Sequence, residues 1–230
     1  MTAQTIEEVV LLDEHGNAVG TCPKSEVHNE STPLHLAFSC YVIDESGRVL
    51  VTKRALHKET WPGAWTNSCC GHPAPGESVE DAVRRRTRQE LGIELTDLRP
   101  ALPDFRYRAV MDNGIVENEV CPVYVAVCTE PDDLSPDPAE VAAIEWHDWA
   151  AFRSQVLSGE RDVSPWCALQ VAELPEELAD WGPGRGRDLL GFEFSVAKEA
   201  AACFRNSRCI RSSAASRRSR SSSARSAPAC

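Results

Sequence analysis

WPGAWTNSCCGHPAPGESVEDAVRRRTRQELGI, Trp61 to Ile93, is the stretch on which the fold turns. Its first half carries Cys70-Gly71-His72 among turn residues, and its second half is a strongly punctuated helix. Ser78 with Asp81 three residues on has the form of a capping box, and Gly92 stands where a helix stops. Val79, Ala82, Val83, Arg86, Thr87 and Glu90 share one stripe at helical spacing. That stripe begins apolar and ends in an arginine and a glutamate four residues apart.

The helical half resembles a Nudix box, whose pattern is G-x5-E-x7-R-E-U-x-E-E-x-G-U with U aliphatic; Gly71, Glu77, Arg85, Glu90, Gly92 and Ile93 fall in register with it. Arg86 stands where the box has its first helical glutamate, and Gln89 replaces the first of its Glu-Glu pair. A Nudix hydrolase normally uses those carboxylates to hold Mg²⁺ against a diphosphate. The scaffold is present here and the hydrolytic charge is thinned.

Working outward, 230 residues suit one domain, with or without a tail. The formal net charge is -11, and the seven arginines after Glu199 meet no acidic residue, so the body is more acidic still. An acidic body argues against nonspecific nucleic-acid binding as the main task, though a pocket within it can be locally basic. The N-terminal segment lacks the pattern of a signal peptide, and no run reaches the ~18 apolar residues of a membrane span. The ten cysteines come without an export signal, so reduced thiols in a cytoplasmic protein are expected.

Glu8 to Leu12 reads as a first strand, closed by turn residues Asp13–Asn17, and Thr21–Thr32 is polar. Leu34–Ile43 and Val49–Lys53 form an expected hairpin around Asp44-Glu45-Ser46-Gly47. Phe105–Val110 and Val116–Val127 read as two strands paired through Asp112-Asn113-Gly114. Val141–Trp149 gives a further strand, with helices near Trp149–Leu157 and Pro165–Leu174. Strands and helices without βαβ alternation predict an α+β fold: mixed sheets flanked by helices in one catalytic domain, residues 1–185. Residues 186–230 form a C-terminal extension, Arg/Ser-rich and expected to be disordered from about 206 because it cannot bury a core.

Several residue types on this frame bear chemistry. His28 and His35 are seven apart and His72 follows a glycine; histidines of this kind are more often solvated or core residues than ligands. Glu117 and Glu119, two residues apart on a strand, point to one face between apolar neighbours, where like charges repel unless a cation sits between them. Three histidines and two glutamates make a nitrogen–oxygen set for a divalent ion. Cys70 beside His72 is a candidate acid or base, although buried cysteines are usually inert, and Cys69 leaves the choice between the two thiols open. Lys24, Arg54, Lys58 and Arg86 are ordinary surface cations by default and candidate diphosphate clamps. Arg86 is the most informative, since a cation in place of a box glutamate favours holding a diphosphate over activating water against it.

WPGAWTNSCCGHP, DFRYRA, GIVENEVCP and SPW, in that order from about Val9 to about Leu174, resemble the type I isopentenyl-diphosphate Δ-isomerases. The resemblance implies a small-molecule diphosphate substrate and transposition of one C=C bond through a tertiary carbocation. It implies His28, His35, His72, Glu117 and Glu119 as Mn²⁺ or Zn²⁺ ligands, and Glu90 with the Cys70 carbonyl as the Mg²⁺ site bridging to the diphosphate. It makes Cys70 the catalytic cysteine and sets Cys69 where a small apolar residue is usual. Glu119 becomes the second acid/base, Tyr107 the hydroxyl assisting it, and Trp166 the aromatic closing over the hydrocarbon end. Lys24, Arg54, Lys58 and Arg86 become the diphosphate-binding cations. A Nudix diphosphohydrolase is the alternative, disfavoured by Arg86 and Gln89; a catalytically silent Nudix-fold protein binding RNA or a partner through its basic tail would leave the Cys/His/Glu constellation incidental. The sequence gives no oligomeric state.

Overall fold

A computed structural model describes residues 7–178. The extension from residue 186 and its expected disorder lie outside the described residues. In chain order the elements are β1 (Glu8–Leu12), β2 (Ala18–Pro23), the single turn α1 (Lys24–Val27), β3 (His35–Leu36), β4 (Phe38–Ile43), β5 (Arg48–Arg54), β6 (Trp65–Thr66), β7 (Cys69–Gly71), α2 (Val79–Leu91), β8 (Thr96–Leu102), β9 (Arg106–Val110), β10 (Val116–Val120), β11 (Val123–Val127), β12 (Val141–Asp148), α3 (Trp149–Ser158) and α4 (Pro165–Glu173). The fold is α+β, as expected from the sequence.

Two mixed sheets divide the strands. One has the order β2-β1-β3-β10-β9; the other runs β12-β5-β4-β11-β8, with β6 paired to β5 and β7 to β4. The second sheet is covered on both faces, which is why β4 and β11 are apolar almost throughout and buried at every position. Phe38, Cys40 and Val42 pack with Ala82, Val83 and Leu91 of α2. Tyr41 and Ile43, on the opposite face of β4, join Phe152, Trp166 and Val171 of α3 and α4, together with Tyr107 and Ala109 of the other sheet. The period of two along β4 thus assigns each residue to one of two cores.

The helix at the centre of the sequence forms as its punctuation predicts. The Ser78 hydroxyl oxygen accepts from the Asp81 backbone N–H, and Gly92 ends α2 in the left-handed region at φ 74°. Ala82, Val83, Arg86, Thr87 and Glu90 are buried along the expected stripe.

Four local expectations are corrected. Val116–Val127 is not one strand: β10 belongs to the first sheet and β11 to the second. The break falls at Cys121-Pro122, where proline has no N–H to continue a ladder. The polar reading of Thr21–Thr32 misses the end of β2, an exposed edge strand without an apolar face. β8 was not expected either, since it carries Pro100; it lies at a sheet edge, where a missing donor is tolerated. Leu34–Ile43 is likewise two strands, β3 and β4, one in each sheet.

Candidate active site

Strand register builds one wall of a cavity of about 550 Å³. β3 runs parallel to β10 with His35 opposite Glu119, and β9 runs antiparallel to β10 with Tyr107 opposite Glu119. His35, Glu119 and Tyr107 therefore stand in a row across three strands, and Glu117 follows on the same face of β10. His28 comes from the segment after α1, and His72 from the loop after β7. That loop is tied to α2: Arg85 donates to both Glu77 carboxylate oxygens at 2.7 Å and to the His72 carbonyl at 3.3 Å. The matched Nudix-box pair Glu77 and Arg85 thus braces the segment carrying His72.

The three imidazoles converge on one carboxylate. His28, His35 and His72 Nε2 lie 3.9, 3.4 and 3.3 Å from Glu119 Oε1. One ligand atom from each of these four residues lies within 4.8 Å of all the others. His35 Nδ1 is 2.9 Å from the Pro33 carbonyl, which can only accept, so Nδ1 carries the proton and Nε2 faces the cluster with a lone pair. His28 Nε2 and His35 Nε2 are buried and have no hydrogen-bond partner. Buried, unpartnered ring nitrogens around a buried carboxylate are the donor set of a divalent cation. Glu117 stands beside this set rather than within it; its carboxylate accepts from the Tyr107 hydroxyl at 2.6 Å, and the same hydroxyl is 3.0 Å from Glu119 Oε2.

Electrostatics separate the two carboxylates. Burial pushes Glu117 up, reinforced by its neighbour Glu119. Burial also works to raise Glu119, but the three imidazoles outweigh it and hold Glu119 well below the usual carboxylate range. Burial takes His72 down to about 4 against the pull of Glu119. At His35 burial works downward too, but the Glu119 carboxylate prevails and leaves it above the ordinary histidine value.

Cys70 enters from the other sheet, on β7, and lines the same cavity. Its Sγ donates to Asn67 Oδ1 at 3.1 Å and lies 3.4 Å from Ser39 Oγ. Burial pushes the thiol up to about 11, with Ser39, Arg54 and Asn67 opposing, so it is a neutral acid near pH 7. Cys69 points into the core packed against α2; burial lifts it well above the ordinary thiol range, with Glu90 adding to the effect. The seven described cysteines are all free thiols. Trp166 is 2 % exposed, lines the cavity, and stacks obliquely with Tyr107 at 5.8 Å and edge-on to Trp61 at 5.4 Å.

The four candidate clamp cations line the cavity together. Each has a partner. Lys24 pairs with Glu7 at 2.6 Å, Lys58 with Glu140, and Arg54 donates to the Thr60 carbonyl at 2.9 Å. Arg86 pairs with Glu90 and lies 3.4 Å from Glu140 and 3.9 Å from Glu7. Its stem passes over Gly71, where a Cβ would sit 3.0 Å from Arg86 Cγ, so only glycine leaves that room. Glu90 sits behind Arg86 and is not among the cavity-lining residues. Glu7 and Glu140, which keep these cations in place, were not anticipated. Nothing but their acidity marks them in the sequence, and acidic residues are common throughout it.

A NUDIX domain model matches residues 33–167. Curated relatives follow: an isopentenyl-diphosphate Delta-isomerase of Saccharopolyspora erythraea is 52% identical over 187 residues, covering 80% of this chain and 95% of that protein. Its counterpart in Mycolicibacterium vanbaalenii is 57% identical over 167 residues, 73% of this chain and 91% of that one. The chain belongs to the isopentenyl-diphosphate Δ-isomerase family. Within that family it keeps the Nudix fold: a Deinococcus radiodurans crystal structure, 19% identical, matches 73% of this chain and 99% of its own with a TM-score of 0.57. The isomerase is an enzyme of the Nudix type with Arg86 in its box helix, and the His/Glu cluster marks it as a divalent-metal protein. Among the described residues no helix is long and apolar enough to cross a membrane.

Proposed function

We propose that this cavity interconverts isopentenyl and dimethylallyl diphosphate by adding one proton and removing another. A single observation carries the reading. A neutral thiol on one sheet and an anionic carboxylate on the other, Cys70 and Glu119, line one cavity together with the aromatic rings of Tyr107 and Trp166 and four cations.

Cys70 gives its Sγ proton to the terminal methylene carbon; the alkene π pair forms the new C–H bond and leaves a tertiary cation. Glu119 takes a proton from the neighbouring methylene, whose C–H pair becomes the new double bond, and the Tyr107 hydroxyl bonded to Glu119 assists. Trp166 offers its π face to the cation, an interaction of about 2 kcal/mol or more when desolvated. Burial of Trp166 and Tyr107, with Cys70 half-buried beside them, keeps out water that would trap the cation as an alcohol. Lys24, Arg54, Lys58 and Arg86 hold the diphosphate.

His28, His35, His72 and Glu119, with Glu117 adjacent, would hold Mn²⁺ or Zn²⁺, which imidazole and carboxylate accept alike. Bound there, the ion supplies charge that fixes the Glu119 carboxylate and tunes its proton affinity. Glu90 and the Cys70 carbonyl would hold Mg²⁺ toward the diphosphate once Glu90 turned from its pairing with Arg86 into the cavity. The test is chelation followed by metal add-back in an isomerisation assay. Recovery with Mg²⁺ plus Mn²⁺ or Zn²⁺ supports the reading, and turnover indifferent to chelation contradicts it.

A further inference from the structure

One buried side chain touches both the acid and the aromatic without lining the cavity. Asn67 is 0 % exposed, and its backbone carbonyl accepts from Thr52 Oγ1 at 2.9 Å. Nδ2 gives its two hydrogens to the carbonyls of Cys40 at 3.1 Å and Cys69 at 2.9 Å. The amide therefore has one orientation. Flipped, its oxygen would face two carbonyls and its nitrogen would face Trp166 Nε1, which can only donate. Oδ1 is left to accept from Cys70 Sγ at 3.1 Å, Trp166 Nε1 at 3.1 Å and Thr66 Oγ1 at 2.9 Å. Thr66 also reaches Ser164 Oγ at 2.8 Å and can turn to it, so the thiol and the indole are the donors with most at stake.

We propose that Asn67 is a positioning residue of this site: one amide oxygen holds the Cys70 thiol and the Trp166 indole, and so fixes the proton donor relative to the aromatic face. This rests on the isomerase reading above. The hydrogen bonds of Asn67 to three strands, β4, β5 and β7, make it a rigid post, whereas a thiol and an indole held only by packing would each keep rotational freedom. Without the amide oxygen the acid no longer meets the alkene at the height where the cation meets the ring.

Steady-state kinetics on Asn67→Ala, Trp166→Phe and the double variant test this. Asn67→Ala lowers kcat by about 10²-fold, the cost of a misplacement near 1 Å, and leaves KM within about threefold because the diphosphate cations are untouched. Trp166→Phe keeps a ring and deletes the N–H, so it removes the same contact from the other side. The double variant then loses far less than the product of the two single losses. Multiplicative losses, or a loss carried by KM alone, overturn the proposal. Should Asn67→Ala not fold, wild-type protein carrying benzothienylalanine at position 166 decides: it keeps the bicyclic ring and deletes only the N–H donor, so kcat falls at unchanged KM, and an unaltered kcat refutes the coupling. Wild-type protein that forms no dimethylallyl diphosphate refutes the isomerase reading itself, whereas wild-type turnover with unaffected variants refutes only the role of Asn67.

Discussion

Arg86→Leu separates two things that one guanidinium does. Arg86 is 7 % exposed, and Glu90 behind it is 7 % exposed, so deleting the cation leaves a carboxylate buried without its partner. Breaking such a pair from one side costs about 3–5 kcal/mol of stability. The same deletion removes one charge-assisted hydrogen bond to the diphosphate, worth about 1.5–3 kcal/mol, or on the order of ten- to a hundredfold in kcat/KM. Denaturant unfolding reads the first effect, and kinetics with isopentenyl diphosphate read the second. Arg86→Leu with Glu90→Leu distinguishes them. Two apolar side chains recover most of the stability, since replacing a whole buried pair is often neutral, but they recover no substrate affinity, because the cation and a proposed Mg²⁺ ligand are both gone. Arg86→Lys keeps the charge and loses the planar fork, so its kcat/KM falls between the two. A KM within about twofold of wild type in a destabilised Arg86→Leu would make Arg86 an ion-pair partner and nothing more.

Other perturbations reach the remaining parts of the site. Cys70→Ala abolishes turnover while fold and metal content survive, as kinetics and metal analysis of the purified variant will show; retained activity moves the acid elsewhere. With its thiol at about 11, Cys70 holds only about one part in a thousand as thiolate at pH 8, so iodoacetamide labels it slowly there and faster as pH rises toward that value. Rapid labelling at pH 7 contradicts an acid that waits protonated. Glu119→Gln loses activity and weakens metal retention together, because Glu119 is the carboxylate that all three imidazoles face; a fully active variant removes it from the mechanism. Trp166→Leu lowers kcat by about thirtyfold, reflecting roughly 2 kcal/mol of cation–π stabilisation, with little change in KM. An effect confined to KM argues against cation stabilisation.

How far the sequence reaches depends on what each residue needs. α2 was legible to its ends because its boundaries are local chemistry: a serine hydroxyl at the start, a left-handed glycine at the stop. β4, buried on both faces, showed itself by continuous apolarity. β2 sits at a sheet edge without an apolar stripe, and β8, at the edge of the other sheet, was hidden by Pro100 in its middle. The division of Val116–Val127 between two sheets is a tertiary event, marked locally only by Pro122. In the site, His28, His35, His72 and Glu119 were found by residue type and by resemblance, and the β3–β10 register explains why residues 84 apart meet. Asn67, Glu7 and Glu140 were not found. An asparagine in a turn-rich segment and two more glutamates in an acidic chain have no signal of their own until the fold surrounds them with partners.

The reaction itself tests the central claim most directly. Isopentenyl diphosphate is incubated with the metal-loaded protein in deuterium oxide, and carbon-bound deuterium and free phosphate are followed by NMR. Dimethylallyl diphosphate should appear with deuterium in a methyl group, placed there by the exchanged Cys70 proton, and with the diphosphate intact. Phosphate released without any dimethylallyl diphosphate would show that the cavity has kept the hydrolytic chemistry of its fold.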